Sequence, residues 1–166
     1  TNYVNWLPFY WEGFKQTTRY TYRIEDLSDQ DRLWAELSKG KRRDIRRALS
    51  DESGITFDIH PDPDEFLGLN WATFSRQGLC PPYSRDFVRR IIEVTAKHEQ
   101  SRIIIARDKH GCAHAGVLVV WDAETMYYIM GGSEPTLRKS QAASACLWEA
   151  MCLASKLGLA FDFEGS

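Results

Sequence analysis

No Cys-x-x-Cys pair occurs in this 166-residue sequence. Its four cysteines (Cys80, Cys112, Cys146, Cys152) are scattered. The four histidines (His60, His98, His110, His114) stand at no ligand spacing to them, so no metal site is expected. Four thiols are too few for a disulfide scaffold in a chain this long, and no Asn-x-Ser/Thr sequon is present. A reducing cytoplasmic setting is therefore expected, with the inner face of a membrane as the variant of it. No apolar run approaches the roughly 20 residues a spanning helix needs, and mean hydropathy is −0.42. An excess of one charge is missing too. Lys and Arg number 21 against 23 Asp and Glu, so any phosphate or nucleic-acid site must be a local patch. Gly-x-Ser-x-Gly, Walker and dinucleotide-binding patterns are absent, as are internal repeats.

What is present is an ordinary globular apolar fraction, 43%, unevenly spread. Residues 1–22 hold eight of the 21 aromatics and three charges, so this segment is expected to pack against something. Thr18–Ile24 reads as a strand. Ser28 reads as the cap of a short helix that Gly40 breaks, followed by a helix over Lys41–Ser50 with Ile45, Ala48 and Leu49 inward. Gly54 precedes a strand at Ile55–Ile59. Asp62-Pro63-Asp64-Glu65 is a helix start, and Phe66, Leu67, Asn70, Trp71 and Phe74 then share one face. Ser84 caps a further helix with Phe87, Val88, Ile91 and Ile92 inward. Strands follow at Arg102–Ala106, Ala115–Trp121 and Met126–Met130, joined by tight turns and hence antiparallel. The unbroken apolar run 115–121 predicts a central strand covered on both faces. A buried helix over Ser140–Lys156, stopped by Gly158, leads to a last strand at Leu159–Phe163, parallel to its neighbour. The class is a mixed α/β sheet domain.

The most informative junction is Gly131-Gly132-Ser133, read as a turn, followed by Arg138-Lys139-Ser140-Gln141 at the start of the long helix. The free amides and positive dipole end of a helix start suit a phosphate or carboxylate, and Arg138 and Lys139 add charge there. Arg42, Arg43, Arg46 and Arg47 form two i,i+4 like-charge pairs. Local acids or an external polyanion such as nucleic acid must offset them. Asp162 and Glu164, two apart on a strand, are expected to share a face at the sheet's edge as proton-handling carboxylates. Tyr127 and Tyr128 face opposite sides, and Tyr128 is the candidate to carry a phenol into a cleft. Arg76 and Tyr83 sit at the loop between the first two helices of the domain.

The ordered set Arg42–Ala48 before Gly54-Ile55, Tyr128-Ile129-Met130-Gly131-Gly132-Ser133, the alanine-rich helix 142–154 and Asp162–Ser166 resembles the FemAB-type aminoacyltransferases, the BioF2-like branch of the GNAT acyltransferase superfamily. The resemblance runs from about Leu7 to the end. It implies a GNAT-like acyl-CoA N-acyltransferase fold, incomplete at the C-terminus, within a two-lobed protein. Residues 1–53 would be the tail of the first lobe and a connector, and 54–166 the second lobe without its last elements. The chain starts at Thr1, not Met, and stops after a strand-like run, which likewise reads as a segment of a longer protein. Fem-type enzymes transfer an amino acid from aminoacyl-tRNA to an amine of a peptidoglycan precursor, whereas ordinary GNAT enzymes use acyl-CoA. The latter hold its pyrophosphate with (Gln/Arg)-x-x-Gly-x-(Gly/Ala). Here Arg138–Ala143 matches the ends of that pattern but has Gln141 in place of Gly, which favours the Fem-like donor. The resemblance implies direct attack of the amine, an oxyanion held by an amide near Ile129–Gly131, Tyr128 as an acid or acceptor-pocket residue, assistance from Asp162 or Glu164, and Arg76 and Tyr83 touching the acceptor. The alternative is a non-catalytic lobe that binds nucleic acid or a phosphorylated ligand.

Overall fold

A computed structural model describes residues 6–15 and 20–165. Thr18 and Arg19 of the predicted first strand, Tyr3 of the aromatic segment and Ser166 lie outside them. The elements run α1 (Leu7–Trp11), β1 (Arg23–Ile24), α2 (Gln30–Glu36), α3 (Lys39–Ala48), β2 (Thr56–Asp58), α4 (Pro63–Arg76), α5 (Arg85–Lys97), β3 (Ser101–Arg107), β4 (Ala113–Trp121), β5 (Thr125–Ser133), a 3-10 turn (Pro135–Ser140), α6 (Ala142–Leu157) and β6 (Ala160–Asp162). They form a six-stranded mixed sheet in the order β1-β6-β5-β4-β3-β2. The β2-β3-β4-β5 pairs are antiparallel and β5-β6 is parallel.

The sheet separates two cores. On one face α6 packs with Leu27, Leu33, Val117, Val119 and Phe161; on the other, α4 and α5 pack with Ile103, Ile105 and Leu118. Adjacent residues of β4 thus enter opposite cores, which is why its sequence is apolar throughout. Packing is continuous across the expected boundary at residue 53. β1 pairs with β6, and Ile45 and Ala48 are buried where α3 meets α6.

Local chemistry shifts several predicted boundaries. Asp29, not Ser28, caps α2: its carboxylate accepts from the Arg32 amide, while Ser28 bonds Asp26. The break before α3 falls at Leu37–Ser38, because the Ser38 hydroxyl accepts from the Lys41 amide and starts a new helix. Gly40 lies inside that helix. Leu49 and Phe87, expected inward, are 43% and 57% exposed. The aromatic segment is also exposed over Phe9, Tyr10, Trp11, Phe14, Tyr20 and Tyr22. Asp62 and Ser84 cap α4 and α5 as their spacing dictates.

Burial divides the thiols. Desolvation pushes the Cys146 thiol up to about 12 and that of Cys152 to about 11, whereas Cys80 and Cys112 are exposed. Since only the thiolate reacts, an alkylating reagent is expected to label Cys80 and Cys112 in the native protein, with Cys146 at least roughly a hundredfold slower. Mass spectrometry of time points would show this order. Four thiols labelling together would contradict it.

Candidate active site

The site is built where β5 outruns β6. β6 pairs with β5 only at Thr125, Met126 and Tyr127. Just beyond, the β4-β5 register slips: Val119 faces Tyr128 but Leu118 faces Met130, leaving Ile129 as the extra residue of a bulge. Without the bulge, Tyr128 and Met130 would share a face. With it, Tyr128 packs toward α6 and Met130 toward α4. The segment Gly131-Gly132-Ser133, expected as a turn, is strand paired with Val117, Gly116 and Ala115. Glycine there serves close packing. A β-carbon at Gly132 would overlap the Asn70 amide nitrogen and the Leu69 carbonyl carbon, so α4 can lie directly on the strand.

The edge of β5 that β6 leaves open is served by α4. Asn70 Nδ2 donates to the Gly131 carbonyl at 2.7 Å, and the Ser133 amide donates to Thr73 Oγ1 at 3.0 Å. The Gly131 amide lies on this same edge by the alternation of an antiparallel ladder. Tyr83 donates its hydroxyl to Asn70 Oδ1 at 3.0 Å and stacks edge-on against Trp71 and Phe74. Asn70 is 2% exposed. Its signal in the sequence was an amide on an apolar helix face, which must find partners once buried. Thr73 gave no such signal.

Tyr128 is half-buried above Gly131, so near that a β-carbon on Gly131 would strike its hydroxyl. Among the described residues that hydroxyl has no hydrogen-bond partner. Burial is the largest cause that raises its pKa above the usual 10.0, so the phenol is a proton carrier and not a base near neutrality. A cavity of about 180 Å³ lies here, lined by Thr73, Tyr128, Gly131–Ser133, Ala143 and Leu147 among others.

Beside it a crevice of about 420 Å³ opens at the start of α6, lined by Ser133, the run Arg138–Ser144, Lys41 and His114. Helix α6 begins at Ala142, later than expected, because Pro135–Ser140 forms a separate 3-10 turn. Gln141 joins the two at φ 61°, in the left-handed region. Glycine adopts this conformation freely, whereas other residues do so at a cost. A non-glycine residue there costs about 1 kcal/mol. Gln141→Gly is therefore expected to raise stability by roughly 0.5 kcal/mol after the added entropy of the unfolded chain, read from the denaturant midpoint. A lower midpoint would contradict the strain. The Ala143 amide and the side chains of Arg138 and Lys139 have no protein partner among the described residues. His114, 9% exposed, bonds Asp108 through Nε2 at 3.3 Å, and its buried Nδ1 has no partner among the described residues. A second cavity of about 340 Å³ continues the crevice past His114 and Lys139 to Arg47 and Glu52.

Other predicted residues are placed differently. The four arginines of α3 do not form one free cationic face. Arg42 Nη1 donates to the Ala35 carbonyl at 2.6 Å, Arg43 pairs with Asp44, and Arg46 sits over the Trp34 ring at 5.4 Å. Of the four, Arg47 is the one that lines a cavity of this region. Asp162 and Glu164 do not share a strand face, because β6 ends at Asp162 and Glu164 turns at φ 51° into solvent. The Asp162 carboxylate accepts from Thr21 Oγ1 and from the Glu164 amide, tying down the chain end. Arg76 is exposed at the end of α4.

Residues 35–166 match the acetyltransferase (GNAT) domain family, and the chain belongs to that family. Its fold is GNAT-like. FemX aligns at a TM-score of 0.77 with 13% identity, over 88% of this chain and 52% of FemX. L-PGS from Bacillus licheniformis aligns at 0.58 with 13% identity, over 95% and 49%. The C-terminal domain of a putative lysylphosphatidylglycerol synthetase from Agrobacterium fabrum aligns at 0.58 with 14% identity, over 87% and 46%. The chain thus spans about half the length of these structures, and no curated protein matches it. Among the described residues no helix is long and apolar enough to cross a membrane.

Proposed function

We propose that this chain carries the donor-binding part of an N-acyltransferase that moves an acyl or aminoacyl group from a phosphate-bearing carrier to an amine. The observation that carries the reading is the cation-lined crevice at the start of α6, opening beside the freed edge of β5. The Ala143 amide with Arg138 and Lys139 holds the carrier's phosphates, while the Ala142 amide donates to Ser140 Oγ at 3.4 Å. The acyl carbonyl lies toward Gly131, whose amide stabilises the oxyanion as the amine nitrogen bonds to carbon. Collapse of the tetrahedral intermediate breaks the bond to the carrier, and the Tyr128 phenol gives its proton to the departing atom. The attacking amine's proton passes to solvent, from which the Tyr128 phenolate takes a proton back.

Within this class we favour the Fem-like donor, aminoacyl-tRNA, with an amine of a peptidoglycan precursor as acceptor and a second GNAT-like lobe completing the cleft. The cavity that continues the crevice past His114 to Arg47 supports it, adding room and a further cation beyond Arg138 and Lys139. Acyl-CoA is the second donor reading, supported by the acetyltransferase family. We place the protein in the cytoplasm.

The test compares aminoacyl-tRNA with acyl-CoA by melting temperature and by transfer to amine acceptors. A ligand that binds only the folded form raises the melting point. Tyr128→Phe is expected to lower kcat about a hundredfold while leaving donor affinity unchanged. Because the native phenol's pKa is raised above 10.0, the acid form persists and the rate holds as pH rises to at least that value. Binding without transfer to any amine would replace the enzyme with a binding lobe. Binding of neither donor would remove the reading.

A further inference from the structure

Where β6 stops, a helix takes its place. Beyond the residues that pair with β6, the outer edge of β5 presents the carbonyl of Gly131 and the amides of Gly131 and Ser133. In an ordinary sheet a neighbouring strand would take all three. Here two side chains on one face of α4 take two of them. Asn70 Nδ2 donates to the Gly131 carbonyl, and Thr73 Oγ1 accepts from the Ser133 amide. The Thr73 hydroxyl donates its own proton to the Leu69 carbonyl at 3.1 Å, so it meets that amide only as an acceptor. The group that α4 passes over is the Gly131 amide, to which the proposed function assigns the oxyanion.

Asn70 serves the strand only if its amide faces the right way. Its oxygen and nitrogen have the same shape and opposite roles. A half-turn about the last bond would set Oδ1 against the Gly131 carbonyl, two acceptors face to face. Tyr83 prevents it. Its hydroxyl donates to Oδ1 at 3.0 Å, which leaves Nδ2 to the strand. Burial raises the Tyr83 pKa above the usual 10.0, so the phenol keeps its proton near neutrality. Tyr83 itself comes from the loop between α4 and α5, residues 77–84. Edge-on contacts with Trp71 and Phe74, at 5.7 and 6.0 Å between centroids, fix its ring, and Arg85 covers the Trp71 ring at 4.9 Å. Leu79 and Cys80 of the same loop are exposed. A continuous chain of contacts thus runs from an exposed loop to the strand residue whose amide meets the acyl oxygen.

We propose that Tyr83 and Asn70 are positioning residues for the transfer: through the Tyr83–Asn70–Gly131 hydrogen bonds, the loop between α4 and α5 sets the Gly131 peptide, so that the oxyanion amide is aimed only while that loop is seated. The inference rests on the Gly131 amide being the oxyanion donor of the proposed function and adds what controls it. Neither side chain touches the reacting atoms. Their effect falls on orientation, and a donor turned away from the developing charge loses much of its stabilising effect. Donor affinity, which the crevice at the start of α6 supplies, does not depend on them.

The test uses Tyr83→Phe, which keeps the ring and its stacking and removes only the donated proton. Asn70→Ala is the second variant. The readouts are the carbonyl-carbon resonance of Gly131 and transfer from alanyl-tRNA or acetyl-CoA to a lysine-bearing peptide. Tyr83→Phe is expected to move the Gly131 resonance, to lower kcat about tenfold and to leave the KM for the donor within about twofold. Asn70→Ala is expected to lower kcat about a hundredfold. Adding Tyr83→Phe to it should then change kcat by less than about twofold, because the relay is already cut. If Asn70→Ala does not fold, the resonance and kcat of Tyr83→Phe decide. Residues that served packing alone would lower the melting point and leave the kcat of the folded enzyme as it was. An unmoved Gly131 resonance in Tyr83→Phe would overturn the inference, and so would a moved resonance with unchanged kcat. Losses that multiply in the double variant would overturn it too, since the two residues would then act separately. Each of these outcomes leaves the proposed function standing. A parent protein that transfers from neither donor ends that reading and this inference together.

Discussion

Gly132→Ala is expected to destabilise the protein by upwards of about 3 kcal/mol, a large share of the ~5–15 kcal/mol that holds a typical domain together. The added methyl meets backbone: the Asn70 amide nitrogen and the Leu69 carbonyl carbon stand where it must go. A flexible side chain would rotate aside, but a helix backbone cannot yield without lifting α4 from β5. That shift would break the Asn70–Gly131 and Ser133–Thr73 hydrogen bonds together and expose Phe66 and Leu67, both fully buried. Gly68→Ala is the matched comparison. It lies in α4 itself, and a methyl added there would meet nothing within 4 Å. Alanine at that position is expected to stabilise by about 0.5–1 kcal/mol, since glycine is a poor helix interior residue. Thermal melts of the two variants should move in opposite directions. A Gly132→Ala protein melting within a few degrees of the parent would show that α4 does not bear on the strand as described.

Charge reversal at the α6 crevice carries the second large effect. Arg138→Glu with Lys139→Glu is expected to weaken donor binding by at least about a hundredfold. Two charge-assisted contacts are lost, each worth ~1.5–3 kcal/mol, and two negative charges then face the phosphates. Stability should change by less than about 0.5 kcal/mol, because both side chains are exposed and have no ion-pair partner among the described residues. The loss should shrink as salt is raised, as it must for a phosphate site. Arg43→Glu serves as the control. That residue pairs with Asp44 on the outer side of α3, and its reversal should leave the affinity for a small phosphate-bearing donor unchanged. Equal effects from both changes would mean that net charge, and not the crevice, governs binding.

Much of the fold was legible from spacing. Asp62-Pro63-Asp64-Glu65 and Ser84 announced α4 and α5 because capping is local chemistry. The apolar run in β4 announced a strand covered on both faces because burial on two sides leaves no alternation. Non-local features were hidden. Gly131 and Gly132 read as a turn because glycine is common there, whereas here it makes room for α4, a contact sixty residues away in sequence. The bulge at Ile129 depends on the partner strand and leaves no trace in β5 alone. The cationic run of α3 looked like one polyanion surface, yet Arg42, Arg43 and Arg46 engage the Ala35 carbonyl, Asp44 and the Trp34 ring, and of the four it is Arg47 that lines a cavity of this region. The helix-start crevice was readable from Arg138-Lys139. His114, which lies against it with a nitrogen unpartnered among the described residues, and Asn70, which fixes its neighbouring strand, needed the fold to be seen.

The central claim is that the free Ala143 amide at the start of α6, with Arg138 and Lys139, holds the phosphates of an acyl carrier. Isotope-edited amide NMR during titration with coenzyme A, and separately with an aminoacyl-tRNA, tests it most directly. The account predicts that the Ala143 amide shifts first and furthest with the donor that binds, and that this shift vanishes in the Arg138→Glu, Lys139→Glu protein. A donor that binds while that amide stays in place would contradict it.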